Sequence, residues 1–133
     1  MSDTILETQR LILRQWRDSD LQIMAEINQD PQVMEHFPTP KTLEETRRFI
    51  VGNRALYDQV GFCAYAVELK DNHGFIGFVG LSPVGEDMPC GPTVEIFWRI
   101  GTKYWGKGYA SEAAQAVVDH AFNTLGLNEL VSF

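Results

Sequence analysis

The sequence predicts an α+β domain, a mixed and mostly antiparallel sheet flanked by helices. Three observations predict it. Apolar spacing is helical from Ser19 to Leu56, alternates like a strand from Phe62 to Ile100, and is helical again from Tyr109. The first two strand-like runs of that middle stretch, Phe62–Leu69 and Phe75–Leu81, are joined by a hairpin-type turn, which makes them antiparallel neighbours. The last helix stands between two strand-like runs, as in a βαβ crossover. At 133 residues and 44% apolar, the chain is long enough for one domain with one core. With 22% charged residues and no biased tract, disordered, collagen-like and coiled-coil readings are excluded.

Arg10 to Trp16 sets apolar, β-branched residues between arginines and reads as a strand. Ser19-Asp20-Leu21-Gln22 follows as a capping box, in which the serine hydroxyl accepts from the third helical N–H and the glutamine reaches back. Leu21, Met24, Ala25 and Ile27 continue it with helical period. Asp30-Pro31 starts a further short turn, and Phe37-Pro38-Thr39-Pro40 breaks it. Thr42-Leu43-Glu44-Glu45 is a second capping box, opening a helix that ends near Gly61. Phe62–Leu69 and Phe75–Leu81 read as paired strands around Asp71-Asn72-His73-Gly74, where Asn and Gly are expected to supply positive φ. A loop of roughly residues 82–92 leads to a third strand of this group, Thr93–Ile100. The turn from Gly101 to Gly108 enters a helix from Tyr109 to about Leu125, with Ala110, Ala113, Ala114, Val117, Ala121 and Phe122 on its apolar face. Gly126 ends it, and Leu130 onward begins another strand.

Eleven basic against 18 acidic residues give a net charge of −7. That charge opposes general binding of nucleic acid or anionic membrane, while leaving room for a local basic pocket. Cys63 and Cys90 form no CxxC pair, and His36, His73 and His120 have no ligand spacing, so neither a disulfide framework nor a metal site is expected. The N-terminal Met1-Ser2-Asp3-Thr4 has no apolar signal core, and no stretch reaches the length of a membrane span; a cytoplasmic protein is expected.

The segment richest in chemistry is Trp98 to Glu112, a strand, a glycine-rich turn and a helix start. Such a turn aims several backbone N–H groups and the positive helix end at one spot, which suits an anion. Gly106 and Gly108 can take positive φ and let a phosphate approach the backbone, and Lys103 and Lys107 add charge. Two generic motifs fail. A P-loop needs Ser or Thr where Gly108 stands, and a dinucleotide fingerprint needs a third glycine where Ser111 stands. A plain strand-to-helix turn with two convenient glycines is the competing reading.

Lys103-Tyr104-Trp105-Gly106-Lys107-Gly108-Tyr109-Ala110 resembles motif A of the GNAT N-acetyltransferases, with Lys103 where the family usually has Gln or Arg. Glu7-Thr8-Gln9-Arg10-Leu11-Ile12-Leu13-Arg14, Phe75-Ile76-Gly77 and Trp105 through Ala113 are similar to the RimJ/RimL-type branch, in the family's order along the whole chain. The resemblance implies the GNAT acyl-CoA N-acyltransferase fold, an α/β/α sandwich, and acetyl-CoA as co-substrate. It places the backbone of Trp98, Arg99 and Ile100 along the pantetheine arm. The N–H groups of Tyr104, Trp105, Gly106, Lys107, Gly108, Tyr109 and Ala110 fall at the pyrophosphate, with Lys103, Lys107 and Ser111 beside it. Family members run some tens of residues further, so residues 1–133 are expected to be one N-acetyltransferase domain incomplete at its C-terminus. The missing strands and helix would leave an apolar sheet edge beside Leu130 to Phe133, and association is expected there.

Acetyl transfer needs a neutral amine, whereas an α-amine titrates at about 7.7–8.0 and lysine at about 10.4. A base is therefore required. Glu95 is the candidate, sharing one strand face with Phe97 and Arg99. A cross-sheet salt bridge, to Arg99 or an N-terminal arginine, is its bland alternative. A strand N–H beside the pantetheine would hold the oxyanion. No general acid can be assigned; Tyr65 and Tyr109 are expected to pack. The acceptor pocket is expected between the N-terminal helices and the hairpin strands, lined by His36 and Phe37, with Glu86 and Asp87 weaker candidates for attracting a cation. Cys63 and Cys90 lack an activating partner, which disfavours a covalent cysteine intermediate. Trp98 and Trp105 are expected to be packing groups. The reading is an amine acetyltransferase working by direct attack in a ternary complex, its acceptor a ribosomal-protein N-terminus or a small amine. The alternative is a non-catalytic acyl-CoA-binding or degenerate GNAT domain. The expected partners are acetyl-CoA and the amine acceptor, with a homo-oligomer left open.

Overall fold

The computed structural model describes residues 3–35, 42–85 and 93–132. Five strands form one sheet in sequence order: β1 (Thr4–Glu7), β2 (Leu11–Arg14), β3 (Ala64–Leu69), β4 (Phe75–Val84) and β5 (Thr93–Ile100). Each neighbouring pair is antiparallel. The helices are α1 (Asp20–Gln29), α2 (Leu43–Val60) and α3 (Tyr109–Asn123), with a 3₁₀ turn at Thr102–Tyr104. The expected strand at Leu130 appears as a single parallel bridge, Val131 to Glu95, which makes the sheet mixed.

Strand alternation divides the core into two layers. On one face Leu11, Leu13, Tyr65, Val67, Ile76, Val79, Ile96 and Ile100 pack on Ala113, Val117 and Ala121 of α3. On the other, Trp16, Ala64, Ala66, Phe75 and Phe78 pack on Met24 and Ile27 of α1 and Ile50 of α2. Phe75 and Phe78 share a face despite a spacing of three because the β3–β4 register shifts between Val67 and Glu68. Gly77 sits in that irregularity at φ 141°, and a Cβ there would lie 2.1 Å from the Arg99 carbonyl oxygen. A side chain would push β5 away from β4.

The second capping box forms as expected: Thr42 Oγ1 accepts from the Glu45 N–H, and Glu45 Oε1 accepts from the Thr42 N–H. Gly61, left-handed at φ 84°, closes α2. The first box does not form. Ser19 is αR and its side chain makes no cap bond. Asp20 outcompetes it, accepting two bonds from the Arg14 guanidinium at 2.8 and 2.9 Å and one from the Arg17 N–H. Arg14 also donates to Glu68 at 2.8 Å, and Arg14, Asp20 and Glu68 are all buried. The hairpin turn differs too. His73, at φ 58°, takes the left-handed position, while Asn72 Oδ1 accepts from the Gly74 N–H. Glu68 holds His73 there through a 2.8 Å contact to Nδ1. The first strand, β1, was not expected; its run Thr4-Ile5-Leu6-Glu7 is too short and polar-flanked to stand out.

Candidate functional site

A cleft of about 520 Å³ opens where β5 leaves the sheet and α3 begins. Its wall combines Trp98, Arg99 and Ile100 of β5, Tyr104, Trp105, Gly106 and Gly108 of the turn, Tyr109, Ala110 and Ser111 of α3, and Val33 from the turn after α1. Ten of the predicted site residues thus meet in one place. Lys103 and Lys107 are not in this wall. Lys103 Nζ lies 5.2 Å from the Tyr104 ring centre, and the Lys107 carbonyl accepts from Arg10. His36 and Phe37, with Glu86, Asp87 and Cys90, lie outside the described residues.

Gly106 and Gly108 have φ of 77° and 79°, as the turn requires. The consequence is electrostatic. The N–H groups of Tyr104 and Trp105, expected at the anion, instead close the 3₁₀ turn on the carbonyls of Gly101 and Thr102, whereas no N–H from residue 106 to residue 111 makes a hydrogen bond among the described residues. Six consecutive donors, three of them on the first turn of α3, are left for an anion.

The adjoining edge of β5 is open as well. Val94 O and Ile96 N–H bond Val131, so even-numbered residues direct their backbone polar groups away from β4. Trp98 and Ile100 follow the same alternation. Beyond Val131, nothing pairs with this edge among the described residues. The Ile100 carbonyl is taken by Trp105 Nε1 at 2.7 Å, leaving the N–H groups of Trp98 and Ile100 and the Trp98 carbonyl. Trp98 and Trp105 are not packing groups: they are 49% and 51% exposed, because the cleft rather than the core lies against them.

Glu95 is half-buried on β5, paired across the sheet with Ser82. Its carboxylate makes no hydrogen bond or ion pair among the described residues. Burial pushes its pKa above the ordinary carboxylate value. The alternative salt bridge to Arg99 is absent: Arg99 Nη1 donates to Asn28 Oδ1 at 2.8 Å, and Asn28 Nδ2 donates to Thr46 Oγ1. These three groups, with Glu45, Arg48 and Phe49, line a second cleft of about 350 Å³ between α1, α2 and β5. Arg99 borders both clefts.

Cys63 and Tyr65 are buried away from the clefts. Burial pushes the Cys63 thiol up to about 12, and the thiol sits 3.1 Å from the Ala64 carbonyl. Tyr65 is fully buried in the α3 layer, and burial pushes its phenol up, so it packs as expected. Tyr109, by contrast, lines the cleft. Among the described residues no group of three His, Cys, Asp or Glu could hold a metal ion, and no helix is long and apolar enough to cross a membrane.

Sequence reasoning missed Arg10 and Glu112 as parts of this site. Arg10 Nε donates to Glu112 Oε1 at 2.7 Å, its N–H donates to Glu112 Oε2 at 2.9 Å, and its guanidinium carbon stands 4.5 Å over the Tyr109 ring. Nothing local signals a contact spanning 102 positions.

Residues 10–133 match the acetyltransferase (GNAT) domain model. The chain is 32% identical over 128 residues to the uncharacterised N-acetyltransferase YnaD of Bacillus subtilis, covering 96% of this chain and 71% of YnaD. The structure superposes on an acetyltransferase from Agrobacterium tumefaciens with a TM-score of 0.83 at 31% identity, covering 99% of this chain and 74% of that one. It shares its fold with a spermidine N-acetyltransferase from Vibrio cholerae in complex with CoA and spermine, with a TM-score of 0.72 at 22% identity, covering 94% and 71% of the two chains.

Proposed function

Because the chain belongs to the GNAT acetyltransferase family, we propose that it moves an acetyl group from acetyl-CoA to a primary amine by direct attack in a ternary complex. The observation that carries this reading is the run of six unbonded N–H groups beside an open strand edge. The first suits a diphosphate, which is rich in acceptors. The second suits an extended amide-bearing arm, which can add to a sheet edge like a strand.

In this reading the N–H groups of residues 106–111 bind the diphosphate, with Lys103 and Lys107 contributing long-range charge. Trp98 N–H and C=O and Ile100 N–H hold the pantetheine amides, and one of the two N–H groups serves the oxyanion as the amine attacks. Glu95 accepts the amine's proton, directly or through water. Its raised pKa brings its basicity closer to that of the amine it must deprotonate. Cys63, buried and protonated, takes no part in the step. The second cleft, with Arg99 at its junction with the first, receives the acceptor; His36 and Phe37 remain proposed neighbours of that amine. The acceptor class is a protein N-terminus of the RimJ/RimL kind or a small amine, and the reaction belongs in the cytoplasm, where acetyl-CoA is supplied. Association through the edge near Leu130 remains part of the proposal.

Calorimetry with acetyl-CoA and a free-thiol assay over a panel of amines and peptides test this. Binding with acceptor-dependent thiol release is expected. Binding with no release for any acceptor would favour a non-catalytic CoA-binding domain, and no binding would refute both.

A further inference from the structure

We infer that Arg10 is a positioning residue for the diphosphate-binding turn, aiming the Gly108 N–H into the cleft from outside its wall. The inference rests on the reading of that cleft as a CoA site. Arg10 does not line the cleft, yet its guanidinium reaches the turn from the β1–β2 corner. Nη1 donates to the Lys107 carbonyl oxygen at 2.8 Å. A trans peptide points its C=O and the following N–H in opposite directions. Holding the Lys107 carbonyl toward Arg10 therefore turns the Gly108 N–H away from it, toward the cleft that Gly108 lines.

Two further contacts fix the guanidinium itself. Nε is bound to Glu112 Oε1, and the guanidinium carbon stands 4.5 Å over the Tyr109 ring. Glu112 is locked in turn by the Arg10 N–H and the Thr8 hydroxyl. Burial alone would raise the Glu112 pKa, but the bonds from Thr8 and Arg10 hold it below the ordinary carboxylate value, so the anchor is ionised at neutral pH. The Glu112 N–H also bonds the Gly108 carbonyl at 3.0 Å, which ties the other side of the same glycine to the clasp. Both peptide groups flanking Gly108 are thus held, one by each member of the Arg10–Glu112 pair. A lysine could supply the charge but not two bonds in a fixed fork.

The test uses the full chain with CoA as probe. Calorimetry gives the affinity, and ³¹P NMR of bound CoA reports its diphosphate and its 3′-phosphate separately. In Arg10→Met, CoA binding is expected to weaken about tenfold or more. The diphosphate resonances should move toward their free positions while the 3′-phosphate resonance stays. Glu112→Gln, which loosens the anchor, should show the same pattern to a smaller degree, and Arg10→Lys should fall short of wild-type affinity. Binding by Arg10→Met within twofold of wild type, equal movement of both phosphate signals, or full recovery in Arg10→Lys would overturn the inference. If Arg10→Met does not fold, the same criteria apply to the other two variants. Absence of CoA binding by the wild-type chain would instead remove the reading beneath it.

Discussion

Replacing Arg14 with methionine should destabilise the chain by about 3–5 kcal/mol, because it strands two carboxylates in the interior. Arg14, Asp20 and Glu68 side chains are 3%, 3% and 4% exposed. The guanidinium donates twice to Asp20 and once to Glu68. Without it, Asp20 keeps the Arg17 N–H, and Glu68 keeps Arg17 Nη1 at 3.3 Å and His73. At about 2.1 cal/mol/K of unfolding entropy per residue, a chain of this length has roughly 0.28 kcal/mol/K, so a loss of ~4 kcal/mol lowers Tm by about 14 °C. Thermal unfolding followed by circular dichroism reads this directly. The sign of its pH dependence is also set. Burial pushes Glu68 up, but the bonds from Arg14 and His73 and the charges of Arg14 and Arg17 bring it below its ordinary value in the folded chain. Its contribution is therefore present above the unfolded carboxylate pKa and lost as pH falls through the folded one. In Arg14→Met the stranded Glu68 carboxylate gains by protonation, so the gap between variant and wild type should narrow below about pH 5. The neutral triple Arg14→Met, Asp20→Asn, Glu68→Gln should be more stable than the single variant. A single variant within 3 °C of wild type (about 1 kcal/mol by the same conversion), or a triple less stable than it, would refute the reasoning.

Glu95→Gln should lower kcat/KM by about 10²–10⁴ with unchanged CoA affinity, read by thiol release and calorimetry. The acid limb of the wild-type rate should lie above the ordinary carboxylate pKa, since burial raises Glu95; a limb at or below that value would argue for another base. Gly77→Ala should cost about 2 kcal/mol or more in chemical denaturation, because its Cβ meets the Arg99 carbonyl oxygen at 2.1 Å. Cys63 should resist thiol reagents in the native chain and react on unfolding, as mass spectrometry of alkylated protein would show.

Much of this molecule was legible locally. The capping box at Thr42 and Glu45 forms because both partners lie within one helical turn. Gly106 and Gly108 took the positive φ that their spacing before a helix suggested. The acidic strand residue Glu95 keeps a raised pKa on the face expected of it. Competition from afar defeated the other readings. Ser19 lost its capping role because Arg14, six positions from Asp20, drew that carboxylate inward, helping to close the helix entrance by other bonds. His73 took the left-handed position because Glu68 holds its ring, which turn propensity alone does not reveal. Trp98 and Trp105 look like core residues by type, and only the opening of β5 at the α3 start leaves them in a wall.

The Arg10–Glu112 pair joins positions 102 residues apart, which bears on the order in which the chain takes shape. Closing a loop of that length costs about 4 kcal/mol of chain entropy, a term that one ion pair does not offset. The clasp is therefore expected to close late, after β2, β3 and β4 have brought the two ends together. During synthesis Arg10 emerges early and waits for a partner made 102 residues later. A chain deprived of its first ten residues should keep most of its core layers and still lose the anion-binding turn, although those residues supply no atom to the cleft wall.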